Sequence, residues 1–179
     1  AYGIKRLGYK KVFTAAVKNS WKIIVPTNYV KEDLFRNYKI EEEKVKVIYE
    51  GVSTSQQLRV ASDSRKKNQL YFLYVGNAYP HKNLDRLVEA VRGNISLKIV
   101  TPRGVFYERL IKRVKGVNNI EVLTNVNDEK LWELMRNAAG FVYPSLEEGF
   151  GLPGLEAMAL GTIVLASDIP VFHEIYKNK

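Results

Sequence analysis

Apolar positions in this 179-residue chain follow two different rhythms, separated by a polar stretch. In residues 8–20, Tyr9, Val12, Phe13, Ala16 and Val17 recur at the i, i+3, i+4, i+7 spacing of an amphipathic helix. Ile23-Ile24-Val25 then makes a short strand-like run stopped by Pro26. Thr27 or Asn28 can cap a following helix that holds Asp33, Leu34 and Phe35. The acidic cluster Glu41-Glu42-Glu43 leads into a strand at 45–49, closed by Gly51. Residues 53–69 carry no apolar period and include the run Arg65-Lys66-Lys67, the composition of a linker.

The second rhythm is regular. Predicted strands at 70–75, 97–100, 120–123, 140–143 and 162–166 alternate with predicted helices at 84–91, 107–114, 128–137 and 153–160. Runs such as Tyr71-Phe72-Leu73-Tyr74-Val75 are apolar throughout, as strands are when both sheet faces are covered. The pattern predicts an α/β fold, a Rossmann-like parallel sheet with helices on both faces. No internal repeat is present, which excludes a solenoid. The expected organisation is a fragment of another domain at 1–52, a linker at 53–68 and the main domain at 69–179. The chain also begins at Ala1, without methionine and inside a patterned segment, as a fragment would.

Composition changes this picture in two ways. With 46% hydrophobic and 26% charged residues the chain can bury a core, and the absence of cysteine excludes disulfides, thiolate zinc sites and cysteine catalysis. No apolar run approaches the ~18 residues of a spanning helix, and no leader pattern is present. The net charge of +9 is uneven: seven basic residues and no acid lie between Ala1 and Lys31, whereas residues 101–150 hold seven of each sign. That bias favours an anionic partner; a solvated basic face is the alternative.

Ligands of open parallel sheets bind beyond the carboxyl ends of the strands, so the strand-to-loop junctions are the candidate sites. In Val75-Gly76-Asn77-Ala78-Tyr79-Pro80-His81-Lys82-Asn83, Gly76 permits a tight turn, and Lys82 precedes a helix whose free amides could meet a phosphate. No Gly-x-Gly-x-x-Gly or P-loop pattern occurs, and His81 has no partner at metal-ligand spacing. Arg103, after the strand at 97–100, can face a ligand. The strongest signal is Pro144-Ser145-Leu146-Glu147-Glu148-Gly149-Phe150-Gly151-Leu152-Pro153-Gly154-Leu155-Glu156. Pro153 suits the first helical position and Gly161 the helix end. Gly149 and Gly151 free backbone amides at a helix N-terminus for an anion or for sugar oxygens. Glu148 and Glu156, which bracket the loop with seven residues between them, are placed to accept hydrogen bonds from vicinal hydroxyls.

Together these segments resemble the retaining glycosyltransferases of family 4, which have the GT-B fold. The likeness rests on Val75-Gly76 with Lys82, Pro144-Ser145, Glu148-Gly149-Phe150-Gly151-Leu152-Pro153, Leu155-Glu156-Ala157-Met158-Ala159 with Gly161, and Ala166 to Pro170 with Glu174. It implies one half of a two-domain enzyme, the donor domain, with the segment 23–51 similar to the end of an acceptor domain that is otherwise missing. By the same resemblance Glu156 holds the ribose of a UDP- or GDP-sugar. Glu148, with the backbone of Gly149, Phe150, Gly151 and Leu152, holds the sugar, and Lys82 neutralises the diphosphate. Glu148 and Lys82 are thus the candidate catalytic residues, and Gly76, Asn77, Arg103 and Val126 complete the candidate donor site. No metal or other cofactor is expected. Two departures affect the phosphate pocket: Asn77 replaces a usual arginine, so that Arg103 or Arg86 would assist Lys82, and Thr101 replaces a usual glycine. The expected partners are a nucleotide-sugar, an N-terminal acceptor domain and an anionic membrane touched peripherally by the basic stretch. The expected location is cytoplasmic, and the isolated chain is expected to be inactive. A GT-B epimerase or sugar phosphorylase, and a basic nucleic-acid-binding module, are the alternative readings.

Overall fold

The computed structural model describes residues 2–52 and 70–177, and the linker expected at 53–68 lies outside them. The chain divides into two compact units, Ala1–Glu50 and Gly51–Lys179.

In the first unit, helix α1 (Tyr2–Asn19) precedes strand β1 (Ile23–Val25), helix α2 (Asn28–Asn37) and strand β2 (Val45–Val47). The two strands pair in parallel with Ile23 opposite Val45. Thr27 is the cap of α2, its Oγ1 accepting from the Val30 amide at 3.1 Å. The small core gathers Val17, Val25, Leu34 and Val45. The stripe expected on α1 is therefore only partly used. Val17 is buried, but Tyr9 and Val12 remain 72% and 71% exposed, because a two-stranded unit offers too little surface to cover them. The second strand is shorter than its apolar run, and Ile48 and Tyr49 are exposed beyond it.

The second unit runs β3 (Phe72–Val75), α3 (Leu84–Val91), β4 (Leu97–Val100), α4 (Tyr107–Val114), β5 (Ile120–Leu123), α5 (Asp128–Asn137), β6 (Gly140–Tyr143), α6 (Leu152–Ala159), β7 (Val164–Ala166) and α7 (Pro170–Tyr176). All pairings are parallel, in the order β5-β4-β3-β6-β7. The chain winds outward from β3 through β4 to β5, then returns to β6 on the other side. Right-handed crossovers on either side of that reversal place α3 and α6 on opposite faces of the sheet. On one face Tyr74, Leu97 and Ile99 pack against Leu84, Leu87, Val88 and Val91 of α3 and Leu110 of α4. On the other, the Phe141 and Tyr143 rings meet edge to face at 5.7 Å, and Tyr143 lies 5.0 Å from the Phe172 ring of α7. The Tyr71 hydroxyl donates to the Leu134 carbonyl at 2.8 Å and the Thr162 hydroxyl to that of Met135 at 2.7 Å, fastening α5 beside the sheet. Among the described residues no helix is long and apolar enough to cross a membrane.

Two local results differ from the sequence expectation. Helix α6 begins at Leu152, so Pro153 occupies the second helical position; its missing amide is still harmless, since the first four have no acceptor within the helix. Helix α7 has no counterpart among the predicted elements. It reaches back to the loop before α6: the Tyr176 hydroxyl donates to the Gly151 carbonyl at 2.7 Å. Gly151, at φ 103°, and Gly154 leave room for that phenol, because a Cβ there would stand 2.6 Å and 2.1 Å from the Tyr176 oxygen. Gly154→Ala is expected to displace Tyr176 and to cost about 1–3 kcal/mol in denaturant unfolding, the range for an overpacked core. An unchanged unfolding midpoint would show that Tyr176 yields freely.

Candidate functional site

The candidate site lies where the strand order reverses, beyond the carboxyl ends of β3 and β6. Each loop is shaped by its own strand. After β3, Gly76 turns at φ 151° and its amide bonds the Val100 carbonyl at 3.0 Å. A Cβ at this glycine would stand 2.8 Å from the Tyr74 hydroxyl, which itself donates to the Asn77 carbonyl at 2.8 Å. A 3-10 turn at Pro80–Lys82 then presents Lys82, and Asn83, at φ 58°, starts α3. After β6, Pro144 and Ser145 lead to the Glu147-Glu148-Gly149 turn and on to Gly151, the N-cap of α6.

The two loops are tied together across the crevice. The Leu146 amide donates to the His81 carbonyl at 2.8 Å, and the Asn83 side-chain amide donates to the Pro144 carbonyl at 3.1 Å. Lys82 Nζ meets Glu148 Oε1 at 2.5 Å, with the two side chains only 13% and 10% exposed. The two candidate catalytic residues, 66 positions apart, are thus each other's partner. A charge pair this sheltered gains little over its desolvation cost, but removing one member would strand the other.

Around Glu148 stand three phenols. Burial first, and then the Glu148 carboxylate, raise Tyr74, Tyr143 and Tyr176 above the ordinary tyrosine value, so that all three stay protonated. The Ser145 hydroxyl is fully buried and has no hydrogen-bond partner among the described residues.

The remaining candidates are brought to the same edge at different depths. Asn77 and the exposed Arg103 line one cavity of about 280 Å³, with Tyr79 and Phe106 among its walls. Arg103 stands over the Tyr107 ring at 5.9 Å. Gly149 is exposed, Phe150 and Gly151 are buried, and Leu152 is half-buried. Glu156 is half-buried on α6, and its carboxyl is raised above the usual value, chiefly by burial and further by Asp128 of α5. Val126 is half-buried in the loop after β5, two strands from β3, where Asn127 caps α5 by accepting from the Lys130 amide at 2.9 Å. Arg86 is exposed on α3, and Thr101 is buried, its amide bonded to the Leu123 carbonyl at 3.0 Å. His81 is exposed, with its ring stacked on Tyr79 at 5.9 Å. Among the described residues no three His, Asp or Glu side chains gather as a metal site.

Sequence reasoning passed over the three tyrosines and Ser145. Tyr143 had one signal, its position as the last residue of a predicted strand directly before the Pro-Ser junction. Tyr176 had none, since its helix was not expected.

The family profile described as Glycosyl transferases group 1 matches residues 56–179, and that described as Glycosyltransferase Family 4 matches residues 2–56. The O-antigen chain mannosyltransferase RfbU of Salmonella typhimurium is 31% identical over 181 residues, covering 98% of this chain and 50% of that protein. The Escherichia coli O-antigen chain mannosyltransferase B is 37% identical over 118 residues, 60% of this chain and 31% of its own length. The chain thus spans half or less of these curated relatives. Among solved structures, the lipopolysaccharide glycosyltransferase WaaG superposes with a TM-score of 0.65 at 22% identity, covering 87% of this chain and 46% of WaaG. Sucrose-phosphate synthase from Thermosynechococcus elongatus gives 0.71 at 22% identity, covering 90% of this chain and 44% of its own. The profile match, the RfbU likeness and the shared sheet agree: the chain belongs to the glycosyl transferases group 1 family, of GT-B fold.

Proposed function

We propose that the second unit binds a nucleotide-diphospho-sugar for retaining transfer of the sugar to an acceptor held by residues outside this chain. The observation that carries the reading is the Lys82–Glu148 pair at the strand-order reversal, an ammonium beside a carboxylate in a sheltered crevice. A diphosphate with a sugar attached needs that combination. The cation faces the group that gains negative charge as the glycosidic bond breaks, so it stabilises the transition state more than the ground state. On binding, Lys82 exchanges Glu148 for phosphate oxygens. Glu148, released, accepts hydrogen bonds from sugar hydroxyls, beside the amides at the start of α6. Glu156 takes the ribose hydroxyls, and the Val126 loop borders the base. Asn77 and Arg103 line the cavity next to the phosphate end, where Arg103 supplements Lys82. The charge on the diphosphate is met by these side chains, with no metal required.

The first unit is the adjoining piece of the acceptor domain. Its acid-free basic stretch, with Tyr9 and Val12 exposed on α1, supports peripheral contact with an anionic membrane on its cytoplasmic side.

A thermal-shift panel of UDP, GDP, UDP-glucose and GDP-mannose at millimolar concentration in EDTA tests the donor site, with mannosyl donors first because two relatives are named mannosyltransferases. At least one is expected to raise the melting temperature, with affinity weakened about tenfold in Lys82→Ala and lost in Glu156→Ala. Silence across the panel would sink the reading.

Glu156 also gives a stability prediction. The folded state holds its proton more tightly than the unfolded chain does, so its contribution is favourable in acid and is lost as pH rises through the folded value. Glu156→Gln is therefore expected to be more stable than wild type at pH 7, with the difference vanishing below the ordinary carboxylate range, in denaturant unfolding at several pH values. A variant less stable than wild type at pH 7 would contradict this. For the basic stretch, co-flotation with vesicles containing anionic lipid, and not with neutral ones, is the expected outcome. Equal behaviour with both would remove the membrane contact.

A further inference from the structure

Tyr143 closes β6 at the strand-order reversal and is 3% exposed. Three of its contacts bear on the site. Its ring packs between Phe141 and Phe172, with centroids at 5.7 Å and 5.0 Å. The Lys82 ammonium stands 5.7 Å from the centroid of the same ring. Glu148, joined to that ammonium at 2.5 Å, neighbours the Tyr143 hydroxyl, and after burial it holds the phenol above its ordinary value through its charge and a side-chain hydrogen bond. Packing alone would be served by phenylalanine. The hydroxyl adds a buried polar group that needs a partner, and its partner is the carboxylate already paired with Lys82.

We propose that Tyr143 is a positioning residue that sets both members of the Lys82–Glu148 pair, the ring serving Lys82 and the hydroxyl serving Glu148. Lysine and glutamate side chains have many rotamers, and fixing them carries an entropic cost that a rigid two-torsion aromatic does not share. The ring face attracts the ammonium through its quadrupole, which keeps Lys82 in the crevice even while it changes partners. The phenol is a donor that stays in place when Lys82 leaves Glu148 for a diphosphate. Glu148 then retains one anchoring hydrogen bond and turns its remaining lone pairs to the sugar. Without the hydroxyl, the freed carboxylate would swing toward solvent. This inference rests on the donor-site reading above for its functional half, while the Tyr143–Glu148 contact stands without it.

Two measurements on the 179-residue chain test it. In the first, Tyr143→Phe, Glu148→Ala and the double variant are compared by thermal unfolding without ligand. The loss in the double variant is expected to fall short of the summed single losses by about 4 °C or more, the signature of a direct interaction. Additive losses would overturn the proposal. In the second, calorimetry compares UDP with UDP-glucose and GDP with GDP-mannose. Tyr143→Phe is expected to leave diphosphate affinity within about twofold, since the ring under Lys82 remains, and to lower the added affinity of the sugar about tenfold. An equal loss for diphosphate and nucleotide-sugar would mark Tyr143 as merely structural and overturn its positioning role. If wild type binds none of the four, the donor-site reading fails, and the unfolding comparison alone decides whether Tyr143 holds Glu148.

Discussion

The reversal of strand order between β3 and β6 is the constraint on which the rest of this molecule depends. Because the chain winds away from that point in both directions, the loops after these two strands part toward opposite faces and leave a crevice. Strand pairing cannot close it, since the sheet has already ended. The closure is made instead by single contacts: the Leu146 backbone amide to the His81 carbonyl, the Asn83 side-chain amide to the Pro144 carbonyl, and the Lys82–Glu148 pair. The three side chains in play, those of Asn83, Lys82 and Glu148, are all polar, and that is what makes the crevice a site rather than a seam of core.

Much of the second unit was legible in its sequence because helices and strands each used their own period. The five strands and the helices α3 to α6 fall where apolar runs and turn residues put them, with Gly161 following the end of α6. Where the reading failed, the deciding contacts were tertiary. Helix α7 is short, and nothing in Pro170 to Tyr176 separates it locally from a loop. What stabilises it is the packing of Phe172 and Tyr176 on residues far back in the chain. The stripe on α1 was read correctly as a pattern, yet a pattern does not say how much surface is available to cover it. The candidate residues were found as types at intervals; that Lys82 and Glu148 would touch, over the ring of Tyr143, was not readable from intervals.

The site also concentrates features that do not favour folding. Glu156 is a carboxylate drawn out of water beside Asp128, Ser145 buries a hydroxyl without a partner among the described residues, and Asn83 holds a left-handed backbone. Ser145 and Asn83 sit on the loops at the reversal and Glu156 on α6, while the face under α3 is filled with plain aliphatic residues such as Leu87, Val88 and Ile99. The core supplies stability that the site spends on polarity, a division common where a rigid scaffold carries a binding loop.

The fit of Tyr176 into the space left by Gly151 and Gly154 has a consequence for how this sequence can vary. A phenol that occupies the place of a missing methyl group makes residues 154 and 176 a matched pair, although they lie in different helices. Any side chain at 154 requires a smaller or redirected residue at 176, and the reverse exchange leaves a gap where the hydroxyl was. Substitutions at the two positions are therefore coupled, and homologous chains that keep one of these residues are constrained in what they can place at the other.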